Sequence, residues 1–252
     1  YVSASTASQT APGQLSLEQA LALGLPNAAD HPFLALVGGP QIAHSPGPAT
    51  YNRLFRATHR PYSYVPVVTS TPEAAFDLLR ECGALGVSIT MPHKASALRW
   101  ASPDGLAREA GAANTIRFDG SRGLATNTDR QGVRVPLAEA LESLGISCPR
   151  VLILGAGGAG RAAVLASLDL GAKVTVAARN PDSVDPTIAK QVTLVPWDQR
   201  TGVEASVLIN ATPIVGPASP WPSDEPLRKA LVFDLALGDA PSSILDQARR
   251  EG

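Results

Sequence analysis

Short apolar runs recur along this chain, each closed by glycine, proline or small polar residues and followed by a stretch with helical spacing. “FLALVG” (33–38) is a continuous apolar run, as a strand buried on both faces carries, and it stops at Gly38 and Gly39. “ATYNRLFRAT” (49–58) has helical spacing, and “YSYVPVV” (62–68) alternates like a strand. “TPEAAFDLLREC” (71–82) predicts a helix with Thr71 as N-cap and Pro72 at the first helical position. “GVSIT” (86–90) predicts the next strand. Strand, helix, strand, helix, strand is the rhythm of a mostly parallel α/β sheet.

A second alternating region follows. “RQGVRVPLAEALESLG” (130–145) predicts a helix, “RVLILGAGGAGRAAVLASLDLG” (150–171) a strand, a glycine loop and a helix, and “KVTVAAR” (173–179) a strand. “VEASVLINATP” (203–213) and “ALVFDLAL” (230–237) each read as a strand ending in a loop. The boundary between the two halves is predicted between Asp129 and Gly145, and no internal repeat is present. Residues 1–30 differ in texture. They are rich in Ser, Thr, Ala and Gln, with leucines at helical spacing in “SLEQALALGL” after a predicted N-cap at Ser16, and they read as a tail or connector.

Composition narrows the function classes. The chain has 252 residues, a formal net charge of -1, 44% hydrophobic and 17% charged residues, which is ordinary for a soluble protein of two modest domains. No basic excess suggests nucleic acid, and no apolar run is long enough to span a bilayer. Cys82 and Cys148 lie far apart, without a CxxC or a His pair at ligand spacing. No metal ligand set is therefore expected, and two reduced thiols suit a cytoplasmic protein. The chain starts at Tyr1 and its one methionine is Met91, so the expectation is a piece of a longer protein.

“GAGGAG” (155–160) places Gly155, Gly157 and Gly160 in G-x-G-x-x-G register, after an apolar run and before a helical stretch. In that context Gly155 permits a tight turn, Gly157 lets backbone amides approach a pyrophosphate, and Gly160 lets helix and strand pack closely. The following strand ends at Ala178 and Arg179 instead of the acidic residue that holds a ribose 2′-hydroxyl. A guanidinium there suits a 2′-phosphate, so NADP is expected over NAD.

Lys94 follows a strand end and a proline turn in “GVSITMPHK” (86–94). Ser45 follows the first strand, and “GAANTI” (111–116) and “ATNTDRQG” (125–132) supply Asn114, Asn127 and Asp129. Open α/β sheets bind ligands outside the carboxyl ends of their strands, where such loops gather. A Lys–Asp pair suits proton transfer coupled to hydride transfer, because negative charge grows on a ketone oxygen as it accepts hydride.

“GGPQIAHSPGPATYN”, “GVSITMPHK”, “GAANTI”, “NTDRQG”, “GAGGAG”, “INATP” and “VFDLAL” come in the order of the shikimate dehydrogenase family, which the chain resembles over about residues 33–252. The resemblance implies reversible NADP-dependent reduction of 3-dehydroshikimate to shikimate. The implied fold is an α/β substrate domain (31–129), a Rossmann-type doubly wound NADP-binding domain (130–239), and a C-terminal helix (240–252) returning to the first domain. By the same resemblance Lys94 and Asp129 are catalytic, while Ser45, Thr90, Asn114 and Asn127 bind substrate. Ala156, Gly157 and Gly158 lie in the phosphate loop, Arg179 reads the 2′-phosphate, and Thr212 lies by the nicotinamide. His93 is read as structural.

“YVSASTASQTAPGQLSL” (1–17) resembles the closing strand and loop of a type I 3-dehydroquinate dehydratase, which implies a dehydroquinase domain fused upstream. The partners expected are a small-molecule substrate, that fused domain and a homodimer, with no nucleic acid and no membrane. Several positions depart from the family pattern. Gly47 stands where a second serine is usual and Leu237 where a tyrosine is, each removing a donor to the substrate carboxylate. Ser88 replaces a common asparagine, and “NATPIVGP” lacks a usual methionine. An altered acid such as quinate, or a non-catalytic NADP-binding remnant, are the rival readings.

Overall fold

The apolar run at 33–38 forms the inside of a sheet covered on both faces. A computed structural model describes residues 2–3, 15–16, 32–119, 123–214, 218–228, 230–236 and 242–252. The chain divides into two compact units, Tyr1–Thr128 and Asp129–Gly252. In the first, Val2–Ser3 (β1) pairs in parallel with Leu15–Ser16 (β2). Ser16 thus lies in a short strand, and the helix expected after it falls outside the described residues, as does most of the dehydratase-like opening.

Phe33–Gly38 (β3) pairs in parallel with Ser63–Val68 (β4) on one side and Gly86–Ile89 (β5) on the other. With Ser102–Pro103 (β6), Thr115–Arg117 (β7) and Leu124–Thr126 (β8) they form a sheet ordered β4-β3-β5-β7-β8-β6. β7 runs antiparallel to both β5 and β8, so this sheet is mixed. The polar stretches around Asn114 and Asn127, read as loops, contain these two strands. Only Ile116 and Ala125 in them are fully buried apolar side chains, too few to show a period of two.

Two helical layers sandwich this sheet. Ala35, Val37, Val87 and Ile89 pack beneath Phe76 and Leu79 of Pro72–Glu81 (the second helix, α2). On the opposite face Leu36 and Tyr64 pack with Ile42 below Gly47–Ala57 (α1). The buried Asn52 of α1 pins that helix to β4, donating from Nδ2 to the Tyr64 carbonyl at 2.8 Å and accepting from the Tyr64 N–H at 2.8 Å. Pro72 does occupy the start of α2, but Thr71 makes no side-chain cap. The Thr69 hydroxyl oxygen instead accepts from the Thr71 N–H at 3.0 Å. Two short helices follow, Ala97–Trp100 (α3) and Gly105–Ala110 (α4), the latter capped by Asp104 and ended by Gly111 at φ +63°.

The second unit is built on Arg150–Leu154 (β9), Lys173–Ala178 (β10), Thr193–Pro196 (β11), Val207–Asn210 (β12) and Leu231–Asp234 (β13). All pairs are parallel, in the order β11-β10-β9-β12-β13. Val151 and Ile153 face one core with Asp129–Ser143 (α5) and Gly158–Asp169 (α6), while Leu152 and Leu154 face another. A strand covered on both faces has no polar side, which is why β9 and β12 read as continuous apolar runs. This is the doubly wound Rossmann-type arrangement. The chain leaves β9 for β10 and β11, then returns to β12 beside β9, so the loops after β9 and β12 diverge there. Asp185 caps a further short helix, Pro186–Ala189 (α7).

The sequence reading sends the last helix back to the first domain. Within the second unit, Ser243–Glu251 (α8) buries Ile244 in the core formed by Leu152, Leu208 and Trp221.

Arg130 fixes the start of α5. Its Nε donates to Asp169 Oδ2 of α6 at 2.7 Å and its Nη2 donates to Oδ1. This fork holds the Asp169 carboxyl below its ordinary range, chiefly through the hydrogen bond from Arg130. A depressed carboxylate stabilises the fold above the unfolded pKa of about 3.9 and loses that contribution as pH falls through the folded value. Asp169→Asn is therefore expected to cost about 1 kcal/mol near neutral pH, between the values for surface pairs and charge-assisted bonds. Melts of parent and variant across pH check this: the gap should close in acid, and a gap of constant size down into strong acid contradicts it.

Candidate active site

Lys94 stands in a turn held by other residues. After β5 the Thr90 N–H donates to the Val37 carbonyl at 3.0 Å, the Met91–Pro92 peptide is cis, and the His93 N–H returns to the Thr90 carbonyl at 3.0 Å. His93 is 6% exposed and its Nε2 lies 2.8 Å from the Thr69 carbonyl oxygen, which ties the turn to the end of β4. The His93 carbonyl accepts from the Ser96 hydroxyl at 2.9 Å, and the Ala113 N–H donates to the Lys94 carbonyl at 2.8 Å. His93 is thus a buried anchor and its neighbour Lys94, half-buried, carries the amine.

The same edge gathers the polar residues expected around it. The Ile89 N–H donates to the Asn114 carbonyl at 2.7 Å, setting Asn114 against the end of β5. The Asn114 amide Nδ2 donates to the Thr128 hydroxyl at 2.9 Å, and its Oδ1 accepts from the Thr128 N–H at 3.1 Å and the Thr115 hydroxyl at 3.0 Å. Asn127 is 5% exposed and donates from Nδ2 to the Ala112 carbonyl at 2.9 Å. Thr128, which sequence reasoning missed, orients Asn114; its place between Asn127 and Asp129 was the available signal.

Thr90 comes close to the chain before α1 because Gly38 has no side chain. A Cβ there would lie 2.5 Å from Ile42 Cγ2 and 2.6 Å from Thr90 Cγ2. Beyond the 3₁₀ turn Pro40–His44, the Ser45 hydroxyl oxygen accepts from the Gly47 N–H at 3.3 Å, leaving the hydroxyl proton for another acceptor. Thr90, Lys94, Asn114 and Asn127 are thus brought to one edge of the first sheet. Asp129 is the first residue of α5 and belongs to the second unit. Leu237, one of the departures from the family pattern, lies outside the described residues.

In the second unit the glycine loop follows β9. Gly155, at φ +102°, approaches the β12 loop so closely that a Cβ would lie 3.1 Å from the Ala211 carbonyl oxygen. A Cβ on Gly160 would lie 2.1 Å from the Gly155 carbonyl oxygen. Gly157 and Gly158 are exposed, and a Cβ on either meets nothing within 4 Å. The turn therefore needs two glycines for its own packing, while Ala156, Gly157 and Gly158 leave open space at the start of α6, as a bound phosphate requires.

Gly160→Ala forces the loop to move, and overpacking of this kind costs about 1–3 kcal/mol. It is expected to lower the melting temperature and to abolish the stabilisation that added NADP gives the parent. An unchanged melt with an unchanged NADP-induced shift contradicts this.

Arg179 is exposed at the end of β10, after buried Ala178. The segment beyond it is held independently. Val184 is buried in the core, and Asp185 accepts from Thr187 N–H at 2.8 Å and pairs with Arg161 of α6 at 2.5 Å. Those bonds hold the Asp185 carboxyl well below the ordinary range, the Thr187 hydroxyl contributing most.

Two residues outside the expected set shape the last loop. Asn210, fully buried at the end of β12, donates from Nδ2 to Asp234 Oδ1 at 2.8 Å. Its Oδ1 accepts from the Thr212 N–H at 3.0 Å and the Thr212 hydroxyl at 2.7 Å. Asp234 also accepts from the Ala236 N–H at 2.9 Å and from the Ser242 hydroxyl. “INATP” and “VFDLAL” are thus one polar network that sets Thr212.

Among the described residues no group of three or more His, Cys, Asp or Glu could hold a metal ion, and no helix is long and apolar enough to cross a membrane.

A family profile described as the shikimate dehydrogenase substrate binding domain matches residues 37–116. The NADP(+)-dependent shikimate dehydrogenase of Synechocystis is 33% identical over 243 residues, covering 87% of this chain and 82% of that protein. That of Methanocella arvoryzae is 34% identical over 242 residues, covering 86% and 83%. The Thermus thermophilus shikimate 5-dehydrogenase, solved in complex with NADP(H) and shikimate, superposes with a TM-score of 0.75 at 29% identity, covering 88% of this chain and 85% of that one. With identity at this level over most of both chains, this chain belongs to the shikimate dehydrogenase family.

Proposed function

We propose that the chain catalyses the reversible NADP-dependent reduction of 3-dehydroshikimate to shikimate. The observation that carries this reading is the tethered Lys94 turn, with Thr90, Asn114 and Asn127 beside it, in a member of this family. Ala156, Gly157 and Gly158 would hold the NADP pyrophosphate, Arg179 its 2′-phosphate, and Thr212 its nicotinamide end. NADP supplies the hydride that the carbonyl carbon accepts, or takes it in the reverse direction.

The remaining chemistry belongs to the protein. Protonated Lys94 donates a hydrogen bond to the ketone oxygen, stabilises the charge that grows there, and gives that oxygen its proton. Asp129 supplies the catalytic carboxylate, which accepts from a substrate hydroxyl. Asn114 and Asn127 can both donate and accept, which suits ring hydroxyls, while Ser45 and Thr90 complete the hold on the substrate. In domain terms, 31–129 is the substrate part and 130–239 the cofactor part. A cytoplasmic setting, a homodimer and an upstream dehydroquinase domain belong to the same proposal, the last resting on “YVSASTASQTAPGQLSL” alone.

Initial rates of NADP reduction with shikimate and with quinate test this reading. Shikimate should be the better substrate. Faster turnover of quinate would move the assignment to another acid, and NADP binding without turnover of either would make the chain a binding remnant.

A further inference from the structure

Two phenols lie on the α1 side of the first sheet, outside the roles assigned so far. Tyr64 of β4 is 5% exposed, and its hydroxyl is hydrogen-bonded to the Ser88 side chain. Burial raises its pKa further above the ordinary phenol value, so it stays a neutral hydrogen-bonding group at physiological pH. Tyr51 of α1 lies over it with ring centroids 5.0 Å apart, yet remains 47% exposed. Phe55, one turn along α1, supports the Tyr51 ring at 6.1 Å. The two-bond clamp from Asn52 to the Tyr64 backbone fixes the register of α1 on β4, and with it the position of Tyr51.

Strand geometry puts these groups on the substrate face. Ser88 lies in β5, and Thr90 directly follows its last residue, Ile89. A Cβ on Gly38 would meet both Ile42 Cγ2, in the cluster with Leu36 and Tyr64, and Thr90 Cγ2, which puts the Thr90 side chain on that same side. Tyr51 lies four residues after Gly47, about 6 Å along the helix. Helical side chains lean toward the N-terminus, so the Tyr51 ring covers the turn that begins at Gly47, next to the Ser45 hydroxyl. Gly47 supplies no side-chain donor there. Packing alone does not call for a phenol at a position left half exposed.

We propose that Tyr51 is a specificity-determining residue of the substrate site, its hydroxyl donating to the substrate carboxylate, with Tyr64 and Asn52 positioning it. This rests on the assignment of the first unit to shikimate. Hydroxyl donors from Ser45 and Tyr51 match a group that only accepts, and a carboxylate has the largest accepting capacity. Tyr51 supplies the donor that position 47 lacks.

The test compares parent, Tyr51→Phe and the double variant Tyr51→Phe with Gly47→Ser, using shikimate and its methyl ester. Phenylalanine keeps the ring against Tyr64 and Phe55, so folding is preserved. The KM for shikimate is expected to rise about tenfold, the usual scale for losing a hydrogen bond to a charged group. The kcat and the KM for NADP should hold, and the preference for acid over ester should narrow. Gly47→Ser should recover most of the loss. Gly47 has no positive φ, and an added Cβ meets only Ser45 Oγ, at 3.3 Å.

An unchanged KM, a fall in kcat alone, or an equal loss for acid and ester overturns the assignment of Tyr51. A parent that does not oxidise shikimate overturns the functional reading and this inference with it. A parent that does so, matched by Tyr51→Phe, overturns this inference alone.

Discussion

Replacing Lys94 by alanine is expected to lower kcat by about 10²- to 10⁴-fold, the usual contribution of a positioned general acid–base group. The KM for NADP should stay near the parental value. The turn that carries Lys94 is held by its backbone carbonyl, by the His93 ring and by the Ser96 hydroxyl. Alanine keeps all three, so the variant loses the amine without losing the turn. Lys94→Arg separates two roles. A guanidinium retains the positive charge but does not release a proton near neutral pH, so it should fail to restore turnover. Near-parental kcat in Lys94→Ala would make Lys94 a surface residue. Full rescue by arginine would leave it an electrostatic contact only.

Arg179→Ala is expected to weaken NADP binding by about 10- to 150-fold while leaving NAD binding unchanged. A charge-assisted contact to phosphate contributes roughly 1.5–3 kcal/mol, and each 1.4 kcal/mol is a decade. The loop beyond Arg179 is held by Val184, Asp185 and Arg161, so removing the guanidinium leaves the loop in place. Titrating both cofactors against parent and variant measures the difference. Equal weakening of both would make Arg179 a structural residue, and no weakening of either would place the recognition of the 2′-phosphate elsewhere.

The strands buried on both faces were readable because their apolar runs have no other use. β3 matches “FLALVG” residue for residue, and β9 ends with its apolar run at Leu154 after starting one residue before it, at Arg150. β7 and β8 were not readable. Each is three residues long and sits among Asn, Thr and Gly, so local pattern carries no strand signal, and the pairing of β7 to β5 and of β8 to β7 decides the structure. Thr71 was expected to cap α2 because of its type; the bond from its own N–H to Thr69 gives the turn a different closure.

Chemistry was more legible than its support. Lys94, Asn114 and the glycine loop announce themselves by residue type and position. Asn52, Thr128, Asn210 and Asp234 act through hydrogen bonds to residues distant in sequence or to backbone atoms, which composition and spacing do not reveal. The same holds for Tyr51 and Tyr64, whose pairing needs α1 and β4 in register.

Hydride transfer to the ring carbonyl is the central claim, and isotope transfer measures it most directly. 3-Dehydroshikimate is incubated with NADPH deuterated at both C4 positions, and the product is read by mass spectrometry and NMR. The account predicts shikimate carrying one deuterium at the former carbonyl carbon, formed in equal amount to the NADPH consumed. NADPH that persists beside unreacted 3-dehydroshikimate, or shikimate without the label, would contradict it.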